Sequence, residues 1–95
     1  MMAEEKYATF RSTTGGVMTV EVGSISGDLE VCTKPVESGV EITIRYAGAD
    51  EWYTVEGSPV EDRERCHERV VERLTTPGKK EGFNEEPVSV MGFRA

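Results

Sequence analysis

The sequence predicts a two-layer α+β domain, with an antiparallel sheet of five to six strands and one helix packed on one of its faces. Three observations predict it. Apolar residues alternate with polar ones through the first half of the chain. Turn residues interrupt that alternation at hairpin distances. A helical period replaces it near residue 60. The 95 residues suffice for one domain spanning 1–95. Such a chain buries only about 60–65% of its unfolded surface, so it holds a single modest core. Frayed ends are expected at about 1–5 and 92–95.

A first strand is expected near 7–12, closed by Thr13-Thr14-Gly15-Gly16. A second is expected over 17–24. There Met18, Val20 and Val22 share one parity, and Val17, Thr19 and Glu21 the other. Ser26-Gly27-Asp28 then turns the chain into a third strand, 29–33, where Leu29 and Val31 oppose Glu30 and Cys32. Lys34 to Gly39 leads to a fourth strand, 40–47. Val40, Ile42, Ile44 and Tyr46 face one way there, and Glu41, Thr43 and Arg45 the other. Gly48-Ala49-Asp50 precedes a fifth strand, 52–56. Short connections favour antiparallel neighbours, which makes these strands a meander.

Ser58-Pro59-Val60-Glu61 has the pattern of a capping box with proline at the first helical position. From there Val60, His67, Val70, Val71 and Leu74 form one apolar stripe at about 100° per residue. Thr76-Pro77-Gly78 stops the run, so the helix is expected over 59–76. Residues 79–86 read as a polar loop, and 88–91 as a sixth strand.

One helix covers one sheet face, and the other face meets water or a partner. By parity that open face holds Val17, Thr19, Glu21, Asp28, Glu30, Cys32, Glu41, Thr43, Arg45, Trp52, Thr54 and Glu56. The chain carries a formal charge of −7. Residues 21–56 contain eight acids and two bases, whereas the expected helix has five acids and four bases. The excess charge thus belongs to the sheet. This balance opposes nucleic-acid binding, which needs a basic stripe, and docking to anionic membranes. Mimicry of nucleic acid by the acidic face ranks well below protein binding, because the charge is not tightly clustered.

No catalytic constellation is legible. Cys66 and His67 are adjacent, and helical neighbours point about 100° apart. His67 is therefore read as a core or half-buried histidine with one hydrogen-bonded nitrogen, and a cysteine-dependent enzyme is a low-ranking alternative. Two cysteines and one histidine fall short of a structural zinc set, and the paired acids match no calcium loop. No phosphate loop or nucleophile elbow occurs. No cofactor is expected.

The expectation is a non-enzymatic protein-interaction domain using the open face or an edge of the sheet. Trp52, Arg45, Thr43, Glu21, Glu30 and Glu41 are its contact candidates. An acidic face suits a basic partner, and a homodimer is a further option. The alternative is a small ligand held between helix and sheet near His67, Arg63, Tyr46 and Tyr53. No apolar run spans a membrane and no leader pattern opens the chain, which makes a cytoplasmic location the expectation.

Overall fold

The alternating segments pair into a multi-strand antiparallel sheet. A computed structural model describes residues 5–78, 80–82 and 84–93. Its elements are β1 (Lys6–Arg11), β2 (Val17–Thr19), β3 (Gly23–Ile25), β4 (Asp28–Val36), β5 (Gly39–Tyr46), β6 (Tyr53–Thr54), α1 (Cys66–Thr75), β7 (Lys80–Glu81) and β8 (Asn84–Glu85). The main sheet runs β1-β4-β5-β6, antiparallel throughout. With α1 against it, this is a two-layer α+β fold.

Strands β4 and β5 form the centre, and their alternation is the one expected. Leu29, Val31, Ile42 and Ile44 are fully buried on the inner face. Register pairs Val31 with Ile44 and Thr33 with Ile42, so these side chains stack in rows across the sheet. Val70 and Leu74 of α1 complete the same core cluster.

The expected second strand divides. Thr19 ends β2, and its hydroxyl donates to the Gly23 carbonyl at 2.6 Å while accepting the Val22 amide at 3.1 Å. Gly23, at φ +77°, turns the chain back. The β2–β3 hairpin therefore leaves β1 to pair directly with β4. It docks instead beside β6, where Thr19 bridges Val55 and the Val20 amide reaches the Thr54 carbonyl at 2.9 Å. The turn also corrects the parity. Val17 and Thr19, assigned above to the open face, are buried, while Val20 and Val22 are 67% and 53% exposed.

The expected helix start is also displaced, since α1 begins at Cys66 rather than at residue 59. Ser58-Pro59 is a cis peptide, and Val60 pairs with Val40 through two backbone hydrogen bonds of 2.8 and 2.9 Å. The Ser58 hydroxyl accepts the Ile42 amide at 2.8 Å. The apparent capping box thus follows the edge of β5, with Val60 buried by that pairing rather than by a helical stripe. Arg65, at φ +60°, occupies the helix N-cap without a side-chain cap. We expect Ser58→Ala to cost about 1–3 kcal/mol, because it strands the amide of a fully buried residue. Urea denaturation will read this loss, and far-UV circular dichroism of the folded variant will keep its helical signal.

Residues 88–91 do not form a strand. Val88 makes one parallel bridge to Val17, and the Val90 amide reaches the Glu56 carbonyl at 3.0 Å. Both valines are buried, so the segment closes the core beside β2. Within the stretch read as a loop, β7 pairs antiparallel with β8.

Candidate interaction face

The outer face is built on rows of paired residues. Tyr7 lies opposite Cys32, Cys32 opposite Thr43, and Thr43 opposite Thr54. Trp52 precedes β6 and, sharing parity with Thr54, takes the same side. Its ring is half-buried. The Arg45 guanidinium lies 4.6 Å from the ring centroid, and the Tyr7 ring stands tilted at 6.1 Å.

Arg45 is committed to the protein. Its Nε donates to Glu30 at 2.7 Å and its Nη1 to the Ala49 carbonyl at 2.7 Å. Both partners of the Arg45–Glu30 pair are largely shielded from water. Arg45 therefore positions Trp52 from behind and ties β4 and β5 to the turn after Tyr46. It is not a free cation awaiting an anion.

Glu21 reaches this face although its strand ends at Thr19. Its carboxylate accepts the Thr54 amide and hydroxyl, each at 2.7 Å. Those two bonds hold the Glu21 carboxyl below its usual range. At the far side Tyr7 donates to Glu5 at 2.6 Å. That bond chiefly pushes the Tyr7 phenol up to about 12. Lys34 sits 3.9 Å from Glu5 and opposite Glu41 in the register.

Together these groups enclose a shallow cavity of about 230 Å³ lined by Glu5, Tyr7, Cys32, Lys34, Glu41, Thr43 and Trp52. Of the contact candidates, Trp52, Thr43 and Glu41 line it, and Arg45 and Glu30 support it. Glu21 flanks it across Thr54. Tyr7, Glu5 and Lys34 were not among the sequence candidates. The signal for Tyr7 was its parity with Thr9 and Arg11, against Ala8 and Phe10. Using it required knowing that β1 lies beside β4.

The second candidate set separates. His67 and Arg63 line a cleft of about 320 Å³ at the start of α1, together with Lys6, Thr33, Arg65 and Cys66 among others. Tyr46 and Tyr53 do not line it. Tyr46 is exposed, while Tyr53 packs against the core and donates to Glu51 at 2.8 Å. His67 is half-buried, with Nδ1 2.7 Å from the Thr33 hydroxyl. Burial lowers its pKa below the usual imidazole value.

Both thiols are buried and free, and burial pushes each of them up. That is the reverse of what an attacking thiolate needs. Cys66 contacts the Glu61 carbonyl at 3.9 Å, and His67 bonds to Thr33 rather than to a cysteine. Among the described residues no group of three or more His, Cys, Asp and Glu side chains is placed to hold a metal ion. No described helix is long and apolar enough to cross a membrane. No protein-family model, curated protein or solved structure matches the chain.

Proposed function

We propose that this is a non-enzymatic interaction domain whose outer sheet face binds a basic segment of a partner protein. The supporting observation is Trp52, held half-exposed by Arg45 and Tyr7 beside a cavity whose two carboxylates, Glu5 and Glu41, outnumber its one cation, Lys34. An indole face and nearby carboxylates suit a lysine or arginine side chain. The cation meets the ring quadrupole and a counter-charge together, and its aliphatic stem covers the ring. The surrounding charge of −7 steers such a segment toward the protein. Two buried, free thiols, one on the outer face and one under α1, suit a reducing compartment such as the cytoplasm.

A random-peptide selection against the protein tests the reading. We expect enrichment of lysine- and arginine-rich peptides that change Trp52 fluorescence, bind more weakly as salt rises, and lose about tenfold or more in affinity with Trp52→Ala or Glu41→Lys. Enrichment without basic residues, or binding indifferent to both variants, overturns it.

A second reading rests on the cleft beside α1. Lys6, Arg63 and Arg65 line it with a half-buried His67 and outnumber its two carboxylates, Asp62 and Glu68, in a chain that is otherwise acidic. This suits a small phosphate- or carboxylate-bearing molecule. Inorganic phosphate should then raise the His67 pKa in an NMR titration, because a bound anion favours the imidazolium. An unmoved titration curve at saturating phosphate excludes phosphate as that ligand.

A further inference from the structure

We propose that β1 pairs antiparallel, edge to edge, with β1 of a second copy of this chain, with Ala8 at the two-fold axis. The inference rests on the edge of β1 and not on what the outer face binds, although Glu5 borders both.

β1 ends the sheet order, and its backbone phase follows from two hydrogen bonds. The Ser12 amide donates to the Gly27 carbonyl at 2.9 Å, one step beyond the Arg11–Asp28 pair in the same register. Peptide groups alternate in direction along a strand. Ser12, Phe10, Ala8 and Lys6 therefore face β4, whereas Tyr7, Thr9 and Arg11 turn theirs outward. The other side of β4 gives the same answer independently. The Ala47 amide donates to the Asp28 carbonyl at 2.9 Å, which commits the even-numbered residues of β4 to β5 and the odd-numbered ones to β1. Among the described residues no strand lies beyond β1. Tyr7, Thr9 and Arg11 present an open row of donors and acceptors there, and all three side chains are exposed.

An added antiparallel strand must place outward-facing residues opposite outward-facing residues. That excludes the registers in which Lys6 would meet Arg11. Three central registers remain. Centred on Tyr7, the pairing sets Glu5 against Thr9. Centred on Thr9, it sets Tyr7 against Arg11. Centred on Ala8, it sets Tyr7 against Thr9 and Glu5 against Arg11, twice by symmetry. Only this last register opposes unlike charges along the whole strand. Opposite charges at the two ends of one strand are self-complementary only when that strand is reversed, which points to a second copy rather than a foreign strand. Arg11 remains available for it, since its 3.3 Å contact with Asp28 is largely exposed. Paired residues share a face, so the two outer faces join on one side of an eight-stranded sheet.

Analytical ultracentrifugation of the full chain from micromolar to millimolar concentration, at moderate salt, tests the pairing. We expect a reversible, concentration-dependent dimer. Thr9→Pro removes an amide that no described strand of the protomer uses, so it should give a monomer with an unchanged far-UV spectrum. Glu5→Arg should weaken the dimer about tenfold, and adding Arg11→Glu should recover most of that loss. The charge swap tests the register even if the proline variant fails to fold. A wild-type monomer at millimolar concentration overturns the proposal. So does a dimer indifferent to a folded Thr9→Pro variant, or a double swap no better than Glu5→Arg alone.

Discussion

Gly57→Ala is expected to destabilise the protein by about 3 kcal/mol or more, a large share of the roughly 5–15 kcal/mol typical of a domain. Gly57 has φ +97°, where an L side chain is strained, and a Cβ there would collide with backbone atoms of Val90 and Met91. Neither obstacle yields easily. The Val90 amide is bonded to the Glu56 carbonyl at 3.0 Å, and Val90 is buried, so the 88–91 segment has nowhere to retreat. Gly27→Ala provides the comparison. Gly27 has a similar φ of +107° with open space around its would-be Cβ. That variant bears only the conformational strain, about 1–2 kcal/mol. In urea the Gly57 variant should lose about 1 M or more in midpoint, at the slope usual for small proteins, and the Gly27 variant about half as much. Equal losses would mean that the collision with 90–91 contributes nothing.

The region around Gly57 also shows why one part of the chain misreads. Ser58-Pro59-Val60-Glu61 has the side chains of a helix start, yet the same hydroxyl and the same valine serve an edge of β5. A capping box is a local signal, and an open amide on Ile42, distant in sequence, takes the hydroxyl instead. The stripe formed by Val70 and Leu74 is legible, because those two are buried by a regular helix. Val60 falls in phase with them by coincidence of spacing. The error at Val20 and Val22 is of the same kind. Period-two reading carries on through a turn that only Thr19 and Gly23 mark.

The centre of the outer face is more legible than its margins. Thr43, Arg45, Glu30 and Glu41 lie in regular stretches of β4 and β5, where alternation alone decides the side. What alternation does not show is that Arg45 is occupied by Glu30 and by the ring of Trp52. Nor does it bring Tyr7 beside Trp52, because that requires the β1–β4 pairing that the β2–β3 excursion permits. His67 and Arg63 meet in one cleft because both lie within a few residues of the start of α1. Tyr46 and Tyr53 belong to the end of β5 and to β6, where they do not line that cleft.

Leu74→Ala is expected to cost about 3–4 kcal/mol, within the range for truncating a fully buried leucine. The size of the effect follows from the helix. α1 has ten residues, of which Cys66, Val70 and Leu74 are buried. An isolated helix shorter than about 12–15 residues is marginal in water, so α1 owes its stability to docking rather than to propensity. Leu74 is the largest side chain on that docking face. Val71, only half-buried at its edge, should cost about 1 kcal/mol as Val71→Ala. Because Val70 and Leu74 belong to one cluster with Leu29, Val31, Ile42 and Ile44, losing the helix exposes the inner face of the sheet. Helix and sheet should therefore unfold together. Trp52, the single tryptophan, stands on the opposite face and reports the sheet alone, while far-UV circular dichroism reports the helix. In Leu74→Ala the two urea transitions should shift to lower denaturant by the same amount and remain superimposed. A helical signal that melts ahead of Trp52 fluorescence would show that the sheet holds without its second layer.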